Sequence, residues 1–275
     1  MKKILLISLI TSSVFSQTSN IFEPIDLFDL EYVSNTEISP SGDKVLYQRN
    51  YNDIMTDQSF SNIWLINYDG TNNRPITTGN YKDNSPKWSN QGDKFIFQSN
   101  RDSKSQIFLF DLKNNSIQKL TNFQYSIQSI KWSPDDNYIL FSSFIDSKRK
   151  SLIKMPEKPK GAKWNDPPVE ISDLNYRYDS SGYRKPGEVQ FFTIPVSGGT
   201  PRQISNIKPE KRAGQAEWLG NDKIIFSANL NDDSDYNTNN SEIYILSLES
   251  GKHEALTSRN GPDSSPKVSN DNSMI

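Results

Sequence analysis

Residues 63–77 read IWLINYDGTNNRPIT, and the pattern returns as IFLFDLKNNSIQKLT at 107–121, FFTIPVSGGTPRQIS at 191–205 and IYILSLESGKHEALT at 243–257. Every copy is 15 residues long. Each opens on aromatic and β-branched residues, crosses a turn of Gly, Asn, Asp or Ser, and closes on Ile-Thr, Leu-Thr or Ile-Ser. Two extended runs around residues that accept tight-turn backbone predict a β-hairpin.

Upstream of each copy lies a second element. Ser85-Pro86-Lys87-Trp88-Ser89-Asn90 returns as Ser265-Pro266-Lys267-Val268-Ser269-Asn270. Ile130-Lys131-Trp132-Ser133-Pro134-Asp135, Ile38-Ser39-Pro40-Ser41-Gly42 and the degenerate Ala216-Glu217-Trp218 are further copies. The shared serine and its equivalents fall at 39, 89, 133, 219 and 269, with gaps of 50, 44, 86 and 50. Between the two elements runs a third, such as Lys94 to Ser99 or Tyr138 to Ser143, entered through Gln91-Gly92-Asp93 or Asp135-Asp136-Asn137.

Each unit therefore offers four short strands in roughly 45–50 residues, the size of a propeller blade. Phe95, Ile96 and Phe97 are apolar on both alternating faces, as are Trp64, Leu65 and Ile66. Such strands need cover on both sides, which stacked blades supply. Trp88, Trp132 and Trp218 read as wedges between blades. The expected fold is all-β: a propeller of four-stranded antiparallel blades with WD40-like or TolB-like repeats over residues 17–275. About five blades are expected, the last one truncated, in an incomplete ring. That leaves the inner faces of the two end blades uncovered, with Trp64, Leu65 and Ile66 at one end and Tyr244, Ile245 and Leu246 at the other short of part of their neighbours.

The long third gap marks an insertion at 146–189, carrying Pro156, Pro159, Pro167, Pro168 and Pro186, with Lys148, Arg149 and Lys150 near its start. A long irregular segment inside a compact domain is usually functional or disordered. Within it, Val169 to Ile171 and Leu174 to Tyr178 read as strands.

At the amino terminus, Lys2 and Lys3 precede the apolar run Ile4 to Ile10, and Val14 and Ser16 precede a cut that leaves Gln17. This is the order of a secretory signal peptide, residues 1–16. The run is shorter than the roughly 20 residues a membrane span needs, so no membrane association is expected after its removal. The expected location is periplasmic or secreted. Cysteine is absent, so the exported protein is held together without disulfides. With 31 basic and 33 acidic residues and no basic stripe, nucleic acid is not an expected partner.

Several longer motifs occur in order. They are Asp26-Leu27-Phe28-Asp29-Leu30 running to Pro40, Trp164-Asn165-Asp166-Pro167-Pro168 with Arg177 to Tyr183, Gly198-Gly199-Thr200-Pro201-Arg202-Gln203-Ile204, and Leu256 to Pro266. In this set the chain resembles the propeller half of the prolyl oligopeptidase (S9) family of serine peptidases, in its bacterial dipeptidyl-peptidase and acylaminoacyl-peptidase-like branch. The resemblance covers about Asp26 to Asn270. It implies peptide substrates and a Ser-Asp-His triad on an α/β-hydrolase domain that follows the propeller, with homo-oligomerisation of the full-length protein left open.

The chain has no Gly-x-Ser-x-Gly elbow of the kind that presents a hydrolase nucleophile. Its one histidine, His253, lies in a strand turn and reads as a surface residue. No catalytic residue, cofactor or metal site is therefore expected within it, and the hydrolase domain is expected to be missing from this stretch. Asp232 to Asn237 is oxygen-rich, but Thr238 and Tyr244 stand where a calcium-binding EF-hand loop needs Gly and Glu, so it reads as a solvated acidic loop. Arg177, Asp179 and Tyr183 are the candidate substrate-binding residues, facing the cavity beneath a hydrolase domain and holding a peptide terminus. The bland alternative for them is an ion pair within the loop. For the whole chain, the expected role is the substrate-access part of an exported peptidase acting on short peptides. The alternatives are a non-enzymatic TolB-like periplasmic binding propeller, and a truncation product without function.

Overall fold

The repeated serine acts as a turn staple. In a computed structural model that describes residues 22–147, 156–165, 168–171, 173–208, 212–269 and 271–275, Ser39, Ser89, Ser133 and Ser269 sit in closely similar surroundings. The amide of each donates to the carbonyl five residues on: Lys44, Lys94, Tyr138 and Met274, at 2.8–3.0 Å. The serine Oγ accepts the amide of the same residue at 3.0, 3.2, 2.9 and 2.9 Å. Each chain reversal is thus closed from both sides, and a strand follows in the first three. At the fourth site Leu219 replaces serine, and Gly220, at φ +63°, makes a shorter turn.

The strands assemble as four antiparallel meanders of four. The first sheet is β1 (Tyr32–Ile38), β2 (Lys44–Asp53), β3 (Gln58–Asn67) and β4 (Arg74–Pro75). The second is β5 (Asn84–Trp88), β6 (Lys94–Asp102), β7 (Lys104–Asp111) and β8 (Ser116–Lys119). The third is β9 (Ile127–Trp132), β10 (Tyr138–Asp146), then β13 (Gly187–Pro195) and β14 (Arg202–Gln203). A two-stranded hairpin, β11 (Arg177–Tyr178) and β12 (Gly182–Tyr183), interrupts it. The fourth is β15 (Arg212–Leu219), β16 (Lys223–Asn229), β17 (Glu242–Ser247) and β18 (His253–Ala255).

The 15-residue repeat is explained by one interaction. In all four sheets its last hydroxyl accepts the amide of its first residue: Thr77 from Ile63, Thr121 from Ile107, Ser205 from Phe191 and Thr257 from Ile243, at 2.8–2.9 Å. The hydroxyl pins the end of each hairpin to the start of its third strand. It pairs an amide that β4, β8, β14 and β18 are too short to reach.

The first strands adjoin in order, β1 against β5, β5 against β9 and β9 against β15. The fourth strands lie outermost, with exposed side chains. Three apolar clusters fill the seams between successive sheets. Leu46, Leu65, Phe95 and Phe97 join the first to the second, Ile96, Leu109, Ile139 and Phe192 the second to the third, and Phe191, Trp218 and Phe226 the third to the fourth. Phe95, Ile96 and Phe97 are all fully buried, as two-sided cover requires. This is a β-propeller.

The expected end effects hold in part. Leu65 is buried at the first seam, while Trp64 and Ile66, on the opposite face, are half-buried. At the other end Tyr244 and Leu246 are buried and Ile245 is half-buried.

Two readings of the insertion need correction. Residues 168–171 carry no strand, and of Leu174 to Tyr178 only Arg177 and Tyr178 are in one. The run lacks a neighbour long enough to pair with; the opposing Gly182–Tyr183 supplies two positions. The interruption itself spans 147–186, because Gly187, Glu188 and Val189 already pair with Asp146, Ile145 and Phe144. Residues 1–21, which hold the signal-peptide pattern, lie outside the described residues, as do Lys148 to Lys150 and Pro167.

Candidate functional site

Two ends of the propeller differ in chemistry. At the turn end, first strands pass to second strands through Ser, Asp, Asn and Gly. Asp43 is held well below the usual carboxylate range by Lys44, Ser41 and Ser39, and Asp135 is lowered first by the Ser133 hydroxyl. Asp271 is lowered to about 2 by the Ser269 and Ser273 hydroxyls.

At the loop end, second strands pass to third strands, and large apolar side chains are exposed among the polar ones. Exposed there are Phe22, Ile25, Leu27 and Leu30 before β1, Ile54 and Met55 after β2, Trp164, Val169, Ile171 and Leu174 in the insertion, and Tyr236 after β16. Asn52 ties the amino-terminal segment to this end by donating to the Leu27 carbonyl at 2.9 Å. Asn175 ties the insertion to the Tyr236 loop by donating to the Asp235 carbonyl at 3.3 Å.

The β11–β12 hairpin roofs a cavity of about 600 Å³ at this end, between the third and fourth sheets. The base of the insertion is closed by the Ser147 amide donating to the Pro186 carbonyl at 3.1 Å. Gln128, Phe144, Tyr178, Tyr183, Arg184, Glu188 and Ala213 are among the residues lining the cavity. Tyr183 stacks on Tyr176, with centroids 6.3 Å apart. Gly187 is obligatory at the rim: its φ is +147°, and a Cβ there would meet the Ile145 carbonyl and, at 2.6 Å, the Phe144 ring.

Of the three residues expected to bind substrate, the structure places Tyr183 on the cavity. Arg177 pairs with it across the hairpin but, like Asp179 in the hairpin turn, is exposed and off the cavity wall. Glu188 escaped the sequence reading. Its Oε1 accepts a long hydrogen bond from Gln190 at 3.4 Å, while its Oε2 is closed off from solvent without a hydrogen-bond partner. A carboxylate just ahead of Val189-Gln190-Phe191-Phe192 was the available signal.

Charge also lines the first strands, two residues before each staple position. Glu37 pairs with Lys87, and Glu217 pairs with both Lys131, at 2.6 Å, and Lys267. Burial works against the charge of Glu217, but the two lysines outweigh it and its pKa is lowered. His253 lies exposed on β18, edge-on to Tyr244 at 5.7 Å. Among the described residues no group of three or more His, Cys, Asp or Glu is placed to hold a metal, the Asp232 loop included.

The sheets and the roofed mouth define a propeller with a hairpin-bearing insertion in its third blade. No family model matches the chain. It is 26% identical over 97 residues to dipeptidyl-peptidase 5 of Porphyromonas gingivalis, covering 35% of this chain and 14% of that protein. It is 25% identical over 225 residues to the uncharacterized peptidase YuxL of Bacillus subtilis, covering 80% of this chain and 33% of that one. Among solved structures, an acylaminoacyl peptidase in complex with Z-Gly-Gly-Phe-chloromethyl ketone superposes with a TM-score of 0.63 at 19% identity, over 84% of this chain and 33% of its own. That last likeness is one of fold. The chain spans a third or less of these relatives' length. Together the matches bear out the resemblance read from the motifs: the chain is similar to the propeller part of the S9 peptidases.

Proposed function

We propose that this chain is the substrate-access propeller of an exported serine peptidase that hydrolyses short peptides. A catalytic α/β-hydrolase domain would be seated on the loop end. The observation that carries this reading is the set of exposed apolar side chains at the loop end. Exposed apolar side chains often mark an interaction surface, and Phe22, Ile25, Leu27, Leu30, Ile54 and Met55 are exposed together around the amino-terminal segment and the β2–β3 loop. The peptidase relatives support the choice of partner. The pattern in residues 2–16 supports export to the periplasm or beyond. In this role the propeller limits entry to short peptides, with Tyr183 at the cavity and the exposed Arg177 and Asp179 of the hairpin outside it as substrate contacts.

The test compares peptide lengths. In the coding sequence that contains this chain, the product is expected to cleave chromogenic dipeptides and short peptides and to spare folded proteins. Charging the loop end with Ile54→Asp and Met55→Asp is expected to loosen the seating and relax that size limit. A product without peptidase activity, or one whose size limit is indifferent to these changes, would overturn the reading.

A further inference from the structure

Charge is divided unevenly along this chain. Residues 147–186 hold 10 Lys and Arg against 5 Asp and Glu, while the rest of the chain holds 21 against 28. Within that stretch Lys158, Lys160, Lys163, Arg177 and Lys185 are exposed. The end of the β11–β12 hairpin brings part of this excess to the cavity of about 600 Å³ between the third and fourth sheets.

The cavity offers mainly donors. Gln128, Tyr178, Ser181, Tyr183, Arg184 and Lys185 line it, and all except the half-buried Arg184 are exposed. Each of these side chains can donate a hydrogen bond. Arg184 is engaged with another group of the protein and still contributes its charge. Among the described residues on the wall, Glu188 is the one carboxylate. Its Oε2 is closed off from solvent, and its Oε1 accepts from Gln190 at 3.4 Å. Asp179, in the hairpin turn, lies off the wall. Two cations therefore face one glutamate, and an entering group does not meet the closed-off oxygen. A cleft in which one sign of charge prevails concentrates the opposite ion, and hydrogen bonds to a charged acceptor are about twice as strong as neutral ones. Phe144, Val189 and Ala213 add an apolar wall, which suits an anion carried on an organic chain.

We infer that this cavity is a binding site for a peptide carboxylate, from an acidic side chain or a carboxyl terminus. The carboxylate would accept from Lys185 Nζ and from the Tyr183 hydroxyl. The peptide part of this assignment rests on the proposed function; the anion part rests on the cavity and its charge alone.

Titration calorimetry on the purified chain tests it with four probes. These are acetate, acetyl-Ala-Ala with its carboxyl terminus unblocked, acetyl-Glu-Ala methylamide, and the neutral acetyl-Gln-Ala methylamide. Saturable binding of any carboxylate probe, weakened at least about tenfold in Lys185→Glu and retained in Lys185→Arg, supports the site. That binding is also expected to weaken as salt rises from about 20 to about 200 mM. The two peptide carboxylates then distinguish a terminus from a side chain. Binding of acetate without either peptide supports the anion site while removing the peptide reading. Loss of peptidase activity as a property of the longer product would remove the proposed function and leave carboxylate binding by this chain in place. Binding of the neutral probe equal to the carboxylates, affinity unchanged in Lys185→Glu or by salt, or no binding of any carboxylate would overturn the proposal. Should Lys185→Glu fail to fold, Lys185→Gln serves instead and is expected to weaken the carboxylates alone.

Discussion

The indole Nε1–H of Trp132 donates to the carbonyl oxygen of Lys87 at 2.9 Å, across the seam between the second and third sheets. Trp88 does the same one seam earlier, to the Glu37 carbonyl at 3.1 Å. Trp218, at the next seam, is as deeply buried as Trp88, yet its Nε1–H has no partner. Three tryptophans of one repeat position therefore carry different energies. Trp132→Phe is expected to cost about 1–3 kcal/mol, because it leaves a carbonyl unpaired at the seam. Trp218→Phe removes an N–H that is already unsatisfied, and its melting temperature is expected to fall less than that of Trp132→Phe. Chemical denaturation of the two variants side by side checks the order.

Thr121 is nearly inaccessible. It accepts the Ile107 amide at 2.9 Å and donates to Gln106 at 2.8 Å. Thr121→Val keeps the shape and removes both bonds, and is expected to destabilise by about 1–3 kcal/mol. Thr121→Ser, which copies Ser205, is expected to fall much less. Equal melting of Val and Ser variants would mean that the repeat's final hydroxyl is incidental.

Asp83 is fully buried and receives Arg101 Nη2 on both oxygens, at 2.9 and 2.8 Å. The guanidinium also lies over the Phe108 ring at 4.8 Å. Arg101→Met strands a buried carboxylate and is expected to cost about 3–5 kcal/mol. Adding Asp83→Asn is expected to restore part of that loss. A double variant weaker than the single one would refute the pairing argument.

Acid should weaken the propeller through its lowered carboxylates. Glu217 and Asp271 hold protons less tightly folded than unfolded. Their stabilisation is therefore present above the unfolded pKa and is lost as pH falls through the folded value. For Asp271 the window runs from its ordinary 3.8 down to about 2. Thermal melts between pH 7 and pH 3 are expected to decline in the native chain and to decline less steeply in Glu217→Gln.

Much of this architecture was legible because it repeats. The spacing from Ile63 to Thr77 recurs as a hydrogen bond in all four sheets, and Trp88 and Trp132 are the inter-sheet wedges their position suggested. The insertion was less legible because nothing in it repeats. Val169 to Ile171 has a strand's composition, but composition cannot report whether a pairing neighbour exists. Tyr183 reached the cavity, whereas Arg177 and Asp179 did not, since two-residue strands place alternate side chains by pairing rather than by local preference. Glu188 was hidden because a single carboxylate in a strand becomes informative only when its unpaired oxygen is seen.

The central claim is that this propeller serves a serine peptidase whose nucleophile lies outside it. A fluorophosphonate probe, which reacts with activated serines, tests this most directly when applied to the purified chain and to the product of the coding sequence that contains it. The account predicts no labelling of residues 1–275 and one labelled serine elsewhere in the longer product, with peptide turnover only in the latter. Labelling of a serine within this chain, with turnover lost in His253→Ala, would contradict it.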